Sequence, residues 1–136
     1  MDAVPADPLD PDVALVLGCY AAYARGDIAA AIAPLHPDVE WIEPEEFPNG
    51  GRRRGPAAVA DYLRASHALW SELHSEPVPY RLGADIVIVH HAHGRLTDGT
   101  PQDLTVADVF TLRGGQVIRM RAYADPAEAV EAAREP

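Results

Sequence analysis

The sequence predicts an α+β fold in which a strongly curved antiparallel sheet wraps around helices and encloses a cavity. In the first half of the chain, apolar residues recur at three- and four-residue steps, which indicates helices. In the second half they recur at every second residue, which indicates strands. Helices followed by a run of strands are typical of the α+β class, and a length of 136 residues suits one domain with a single core.

The N-terminal segment predicts a lead-in and a helical hairpin. Residues 1–10 are rich in proline, which predicts disorder there and one domain over residues 11–136. The first helix is expected to start beside Pro11, which suits a first-turn position, and to end at Gly26. "GDIAAAIAPLHPD" predicts a second, short helix capped by Asp27.

The middle of the chain predicts a strand, a loop and a third helix. "VEWIE" alternates and ends before Pro44, as a strand does. "EEFPNGGRRRG" predicts a loop in which the three arginines stay hydrated. "PAAVADYLRASHALW" predicts a helix that begins at Pro56. Its buried side is expected to hold Val59, Tyr62, Leu63, Leu69 and Trp70.

The C-terminal half predicts strands joined by tight turns. Period-two stretches are "YRLGADIVIVHHAHGRL", "QDLTVADVFTL" and "GQVIRMRAYA", with hairpin turns at "TDGTP" and "RGG". "DPAEAVEAAREP" predicts a short helix or a frayed tail. A curved sheet on helices leaves a hollow at one end, where a ligand is expected to bind.

Charge and cysteine content exclude some classes of binding partner and indicate where in the cell the protein is expected. Acidic residues outnumber basic residues 21 to 11, and such an acidic chain is not expected to bind nucleic acid or an anionic membrane. The single Cys19 cannot form an intramolecular disulfide, and the acidic, proline-rich start is unlike a secretion signal. These features predict a cytoplasmic protein without a membrane span.

Two carboxylates are candidate catalytic residues. Asp108 alternates onto the same strand face as the apolar Val106 and Phe110, where burial is expected to raise its pKa. Glu43 faces the same way as Trp41 at a strand end, within reach of a cavity. The alternatives are a structural aspartate that binds a backbone amide or an arginine, and a glutamate in a solvated acidic loop.

The string "HHAH" does not predict a metal site. Alternation sends His90 to one face and both His91 and His93 to the other, and the sequence pattern supplies no third ligand. We therefore expect neither a metal nor a cofactor. His90 is expected on the cavity side, as a further acid or base or as a buried histidine bound to a backbone carbonyl.

Large apolar side chains predict a pocket for a flat, mostly apolar ligand. Each could equally belong to the core, since aromatic residues at regular spacing usually pack. The candidate substrate-binding residues are Trp41, Tyr23, Tyr62, Leu63, Trp70, Phe110 and Met120.

Three strings carry a resemblance to a known family: "YARGDIAAAIAPLHPDVEWIEP", "RRRGPAAVADYL" and "DVFTLRGGQVIRMRAYADPAEAVEAA". They resemble the SnoaL-like branch of the cone-shaped fold shared by nuclear transport factor and ketosteroid isomerase. The similarity covers nearly the whole chain from Pro11 onward. It implies the cone-shaped fold, which hosts isomerases, aldol-type cyclases, epoxide hydrolases, dehydratases and binding domains.

The resemblance also implies roles for single residues. It puts Glu43 at the position of the proton-shuttling carboxylate of ketosteroid isomerase and Asp108 at that of its protonated, hydrogen-bond-donating aspartate. SnoaL-type cyclases also use an aspartate from this late part of the sheet as acid and base. The oxyanion-binding tyrosine of the isomerase matches Cys19, with Tyr20 one residue on and Tyr23 one turn on.

The resemblance also implies a homodimer through the outer face of the sheet, because in related proteins that face meets a second copy. Arg119, Arg121 and Tyr123 alternate onto this face of the last predicted strand. The alternative is that the face is solvated.

The leading hypothesis is a cofactor-free enzyme that uses Asp108, Glu43, His90 and Tyr20 for general acid/base chemistry. It would be an isomerase, an aldol-type cyclase or a related lyase or hydrolase, acting on a small hydrophobic metabolite with a carbonyl group. The first alternative is a noncatalytic domain of the same fold that binds a small ligand or dimerises. The second is an epoxide hydrolase, which needs an arginine between two carboxylates, and no arginine shares their predicted inner face.

Overall fold

The computed structural model describes residues 3–134, which form four helices and seven strands. The helices are α1 (Pro11–Ala24), α2 (Ile28–Ile32), α3 (Pro56–His67) and α4 (Pro126–Arg134). The strands are β1 (Val4–Pro5), β2 (Leu35–Glu43), β3 (Gly51–Arg54), β4 (Trp70–Leu82), β5 (Asp85–Leu96), β6 (Pro101–Arg113) and β7 (Gln116–Tyr123).

Caps and turns define the N-terminal helical hairpin as predicted. The Asp10 carboxylate accepts hydrogen bonds from backbone amides in the first turn of α1, where Pro11 supplies a favourable dihedral angle. Gly26 has a positive φ of 79°, which lets the chain turn sharply between the helices. Asp27 caps α2 by accepting from the Ala30 amide.

All strands form one curved, unclosed sheet in the order β1-β4-β5-β6-β7-β2-β3. Neighbouring strands are antiparallel except β2 and β7, which are parallel. The predicted curved antiparallel sheet is thus confirmed apart from this one pair. The strand β2 follows the helical hairpin, and β7, the last strand, pairs with it in the same direction.

The strand β4 begins where the sequence predicted the end of the third helix. The helix α3 stops at His67, Leu69 is 42% exposed, and Trp70 already belongs to β4. Two prolines, Pro77 and Pro79, lie inside this strand. The Pro79 carbonyl accepts from the Ala6 amide beyond β1, so the missing N–H of Pro79, and of Pro77 two residues away, points to the sheet edge.

Two segments predicted to be irregular form edge strands. Val4 and Pro5 pair with Arg81 and Tyr80, so the described part of residues 1–10 is not the disordered lead-in that we predicted. At the opposite edge, residues 51–54 pair with β2 instead of remaining a loop. Both are short edge strands, which the surrounding prolines and glycines permit.

The main core lies between α1, α3 and the concave face of the sheet. Its fully buried side chains include Val13, Val16, Val59, Ile86, Ile88 and Met120. A second, smaller cluster on the convex face joins α4 to the sheet through Val87, Ala107 and Ala129. No helix within the described range is long and apolar enough to cross a membrane.

Candidate active site

A cavity of about 170 Å³ lies between the helices and the concave face of the sheet. Its walls are mostly aromatic and aliphatic. Six of the seven predicted substrate-binding residues line it: Tyr23, Trp41, Tyr62, Leu63, Trp70 and Phe110. Met120 is the exception, because it is 1% exposed and packs in the core between Trp41 and Phe110, whose larger rings reach the cavity.

The four predicted catalytic residues all reach this cavity, each from a different element. Tyr20 comes from α1, Glu43 from β2, His90 from β5 and Asp108 from β6. The strand residues point inward because of the two-residue alternation of strands, and Tyr20 continues the buried stripe of α1. Residues that are distant in the sequence therefore form one polar cluster in an apolar chamber.

The two carboxylates stand on either side of Ala122 in β7. Asp108 pairs with Ala122 directly, and Glu43 follows Ile42, which pairs with Arg121. Asp108 and Glu43 are therefore two strands apart, roughly 10 Å between Cα atoms. Both carboxylates line the cavity, whereas Ala122 is buried in the core.

Asp108 is half-buried and lines the cavity. Tyr20 donates a hydrogen bond from its hydroxyl group to Oδ2 of Asp108. Burial raises the pKa of Asp108 to about 6, and this hydrogen bond opposes a further rise because it stabilises the carboxylate. Burial, and then the charge of Asp108, raise the pKa of Tyr20, which stays protonated as the donor.

Glu43 is 9% exposed, so it does not belong to a solvated loop. Its Oε1 accepts a hydrogen bond of 2.9 Å from Nε1 of Trp41. Burial and, second, the nearby charge of Asp108 raise the pKa of Glu43 to about 8, while the Trp41 hydrogen bond acts in the opposite direction. Both carboxyl groups therefore keep their protons to a higher pH than exposed carboxyl groups do, and the charge of Asp108 contributes to this effect at Glu43.

Arg53 departs from the prediction that the three arginines of this segment stay hydrated. In β3 it pairs with Trp41, and its guanidinium group stacks on the Tyr62 ring at 4.5 Å from the ring centre. Its Nη1 is buried and meets no hydrogen-bond partner within residues 3–134. The positive charge of Arg53 lowers the pKa of Glu43, although burial and Asp108 outweigh it.

His90 faces the cavity as predicted but bonds to Ser75 rather than to Asp108. Its Nε2 lies 2.7 Å from the Ser75 hydroxyl oxygen, and its ring meets the Tyr20 ring edge-on at 4.8 Å. Burial lowers the pKa of His90 to about 4, so the imidazole is neutral at pH 7. A neutral imidazole in this place supports the orientation of Tyr20.

Two further polar groups line the wall beside the carboxylates. The Tyr23 hydroxyl lies 2.7 Å from Oγ of Ser66, so it is engaged with α3. Cys19 bonds to the Leu15 carbonyl oxygen, and burial raises its thiol pKa to about 11. Cys19 is therefore a protonated, unreactive wall residue at neutral pH.

Several lining residues were not predicted, and most had a signal. Ser66 lies one helical turn after Tyr62 and Leu63, so the periodicity of α3 contains it. Leu73 was missed together with the strand β4, as was Ser75, which bonds His90 but is not among the lining residues. Phe47 reaches the cavity from the turns between β2 and β3, a segment without regular periodicity. The others are Ala31, Ala92, Leu104 and Val106.

Comparison with known proteins is consistent with this architecture. Residues 16–120 match the SnoaL-like domain family. An uncharacterized protein of Mycobacterium tuberculosis is 30% identical over 123 residues, which cover 87% of this chain and 92% of that protein.

Solved structures show the same fold. TerC co-crystallized with polyporic acid has a TM-score of 0.73 at 24% identity and matches 93% of this chain and 100% of its own. A putative polyketide cyclase from Pseudomonas putida has a TM-score of 0.68 at 22% identity, over 86% of this chain and 93% of its own. Other neighbours are NTF2-like or have a ketosteroid isomerase-like fold. The chain belongs to the SnoaL-like domain family.

Proposed function

We propose that this protein is a cofactor-free general acid/base enzyme acting on a small hydrophobic metabolite that bears a carbonyl group. The observation that carries the proposal is the pair of Asp108 and Glu43, two carboxyl groups with raised pKa values in one aromatic-lined cavity. Carboxyl groups whose pKa values are shifted apart by their surroundings provide one base and one acid at the same pH.

In the proposed mechanism Asp108 is the base. Its carboxylate, stabilised by the Tyr20 hydroxyl, removes a proton from the carbon next to the substrate carbonyl. The electron pair of that C–H bond forms a carbon–carbon double bond and the π pair of the carbonyl moves to its oxygen, so that an enolate forms. Glu43, which is protonated near pH 7, donates a hydrogen bond or its proton to this oxygen.

Two outcomes follow from the same enolate. In an isomerisation, Asp108 returns its proton to a different carbon and the double bond moves. In an aldol-type cyclisation, the enolate carbon attacks a second carbonyl of the same molecule, and the new alkoxide takes the proton of Glu43. Related lyase or hydrolase reactions use the same acid and base. The apolar walls favour a flat substrate with few polar groups.

This assignment reverses the roles that the resemblance to ketosteroid isomerase implies for Glu43 and Asp108. The hydrogen bond from Tyr20 favours the ionised form of Asp108, whereas the charge of Asp108 favours the neutral form of Glu43. The Tyr20 hydroxyl is also engaged with Asp108, so Tyr20 is proposed to position the base rather than to bind the oxyanion.

The alternatives receive less support from the same observations. A noncatalytic binding domain would be favoured by a solvent-facing Glu43 or by an arginine bound to Asp108, and the partners found are Trp41 and Tyr20. Epoxide hydrolysis needs an arginine between the two carboxylates. Of the two carboxylates, Arg53 affects the pKa of Glu43 and not that of Asp108, and it lies outside the cavity wall.

Proton exchange at carbon tests the proposal directly. The protein is mixed in D₂O with flat bicyclic ketones such as 2-tetralone, and loss of the α-proton signal is followed by ¹H NMR. We expect exchange above the buffer rate, and a loss of about 100-fold or more in Asp108→Asn, because general base catalysis typically contributes 10²–10⁴-fold. Cys19→Ser is the matched control and should keep the parent rate. Saturable ketone binding without faster exchange would instead support the noncatalytic domain.

A further inference from the structure

The outer face of the sheet carries a cluster of histidine and acidic side chains on the opposite side from the cavity. His91 and His93 alternate away from His90 in β5, as predicted. The neighbouring strand β4 brings Glu76 directly opposite His91, and it is this strand that the sequence pattern did not reveal. The third ligand that was missing in the sequence is therefore present in the fold.

The three side chains converge on one point. Oε2 of Glu76 lies 3.0 Å from Nδ1 of His91 and 2.9 Å from Nε2 of His93. The three atoms all lie within 4.8 Å of one another. Four-coordinate zinc, with bonds of about 2.0–2.2 Å, holds its ligand atoms about 3.4 Å apart. Small rotations of the side chains are thus enough to admit an ion.

A further carboxylate holds one of the imidazole rings in place. Nε2 of His91 lies 2.8 Å from Oδ1 of Asp103 on β6, so the ring has a carboxylate oxygen at each nitrogen. A neutral imidazole has only one N–H and can donate to only one of the two carboxylates. When Asp103 accepts the N–H of Nε2, the lone pair of Nδ1 faces the carboxylate of Glu76, and the two repel each other. A cation bound between Nδ1 and the carboxylate removes this repulsion.

The ring of His93 is also fixed by packing. It stacks on His91 at 4.5 Å and on His74 at 5.1 Å between ring centres, with interplanar angles of 23° and 24°. The side chains of Glu76, His91 and His93 are 61%, 38% and 35% exposed, so an ion can enter from solvent without unfolding. The cluster is ordered by its neighbours and open on one side.

From this geometry we propose that Glu76, His91 and His93 form a binding site for a divalent transition-metal ion, zinc being the best match. Two imidazoles and one carboxylate suit Zn²⁺ and its neighbours in the first transition row rather than Mg²⁺ or Ca²⁺, which prefer oxygen ligands alone. Water fills the fourth position on the exposed side. Asp103 is a positioning residue for His91, and His74 is a neighbour that does not bind the ion.

Isothermal titration calorimetry of the untagged, EDTA-treated protein with ZnCl₂ tests the site. We expect one zinc ion per chain and no saturable binding of MgCl₂ or CaCl₂. Glu76→Gln, His91→Ala and His93→Ala should each weaken zinc binding at least tenfold, and Asp103→Asn about tenfold, as is common for a residue that orients a metal ligand. His36→Ala, at a histidine of β2 outside the cluster, is the matched control and should stay within about twofold of the parent.

Circular dichroism verifies that the variants keep the fold, which we expect because all of these positions are at the surface. Three results would overturn the proposal: no saturable zinc binding by the parent, undiminished binding by a His91→Ala/His93→Ala double variant, or an equal loss in the His36→Ala control. A ratio of one ion to two chains would also overturn it, because the ligands proposed here come from one chain.

Discussion

Replacing Tyr20 by phenylalanine tests whether its hydrogen bond sets the acidity of the proposed base. The change removes only the hydroxyl group, and the ring keeps its edge contacts with His90 and Phe110, at 4.8 and 6.0 Å between ring centres. A hydrogen bond to a charged group contributes about 1.5–3 kcal/mol, which corresponds to about 1–2 pKa units. We therefore expect the pKa of Asp108, about 6 in the parent, to rise to about 7–8.

The shift has a direct consequence for activity. With a pKa of about 6, Asp108 is about 90% ionised at pH 7, and with a pKa of about 7.5 it is only about 25% ionised. A reaction that uses Asp108 as its base should therefore slow about fourfold at pH 7 and recover at higher pH. The pKa is measured from the carboxyl ¹³C shift of labelled aspartate, and the rate from α-proton exchange of the ketone at each pH.

Tyr23→Phe is the matched control for this experiment. Tyr23 lines the same cavity, but its hydroxyl group lies 2.7 Å from Ser66 and not at Asp108. We expect the pKa of Asp108 to stay at the parent value in this variant. An unchanged pKa in Tyr20→Phe, or an equal rise in both variants, would refute the role given to the Tyr20 hydroxyl.

Four further predictions follow from the structure. Asp108 and Glu43 have raised pKa values, so between about pH 4 and pH 8 these two groups bind more protons in the folded protein than in the unfolded chain. His90, whose pKa is lowered, acts in the opposite direction between about pH 4 and pH 6.5, but it is one group against two. Urea unfolding should therefore show stability falling by about 3 kcal/mol or more as pH rises over this range, and the Asp108→Asn/Glu43→Gln variant should lose this fall. Arg53→Gln should raise the pKa of Glu43 in a ¹³C titration, and Arg52→Gln, at an exposed position, should not. Gly94→Ala should lower the free energy of unfolding by roughly 3 kcal/mol or more, since φ is 148° there and a Cβ would lie 2.0 Å from a backbone oxygen; a stability equal to that of the parent would contradict this. Light scattering should give twice the chain mass of 14.6 kDa if the predicted homodimer forms.

The helical part of the fold was predictable because its signals are local. Asp10, Pro11, Gly26 and Asp27 mark the helix ends by backbone chemistry that acts within one turn. The hairpin turn with Gly114 and Gly115, both at positive φ, was recognisable for the same reason. Local signals of this kind need no knowledge of the rest of the chain.

The strands β3 and β4 were not predictable from local patterns because their stability comes from their neighbours. Pro77 and Pro79 argue against a strand until it is known that their missing donors face the sheet edge. The triplet Arg52, Arg53 and Arg54 looks like a hydrated loop until pairing with β2 sends its middle member inward. Because these two strands were not predicted, the positions of Arg53, Ser75 and Glu76 were not predicted either.

The residues of the candidate site that lie on strands could be predicted from the sequence. Asp108 and Glu43 stand at positions where a two-residue period demands an inward side chain, so their burial follows from the pattern. The pKa values of the two carboxyl groups do not follow from the pattern, because they depend on which other groups the fold brings near. The hydrogen bond from Tyr20 to Asp108 joins residues 88 positions apart in the chain.

The two carboxylates lie on strands on either side of β7, whereas Phe47 and Tyr62 reach the cavity from a turn segment and a helix. The distance between the two carboxylates is thus fixed by hydrogen-bonded sheet geometry, whereas part of the cavity wall comes from elements outside the sheet. Substitutions or insertions in residues 44–50 can alter which molecules fit without moving the two carboxylates. For an enzyme of the kind proposed, this separation would let the substrate be changed while acid and base stay in place, which makes this short segment the place to begin directed evolution.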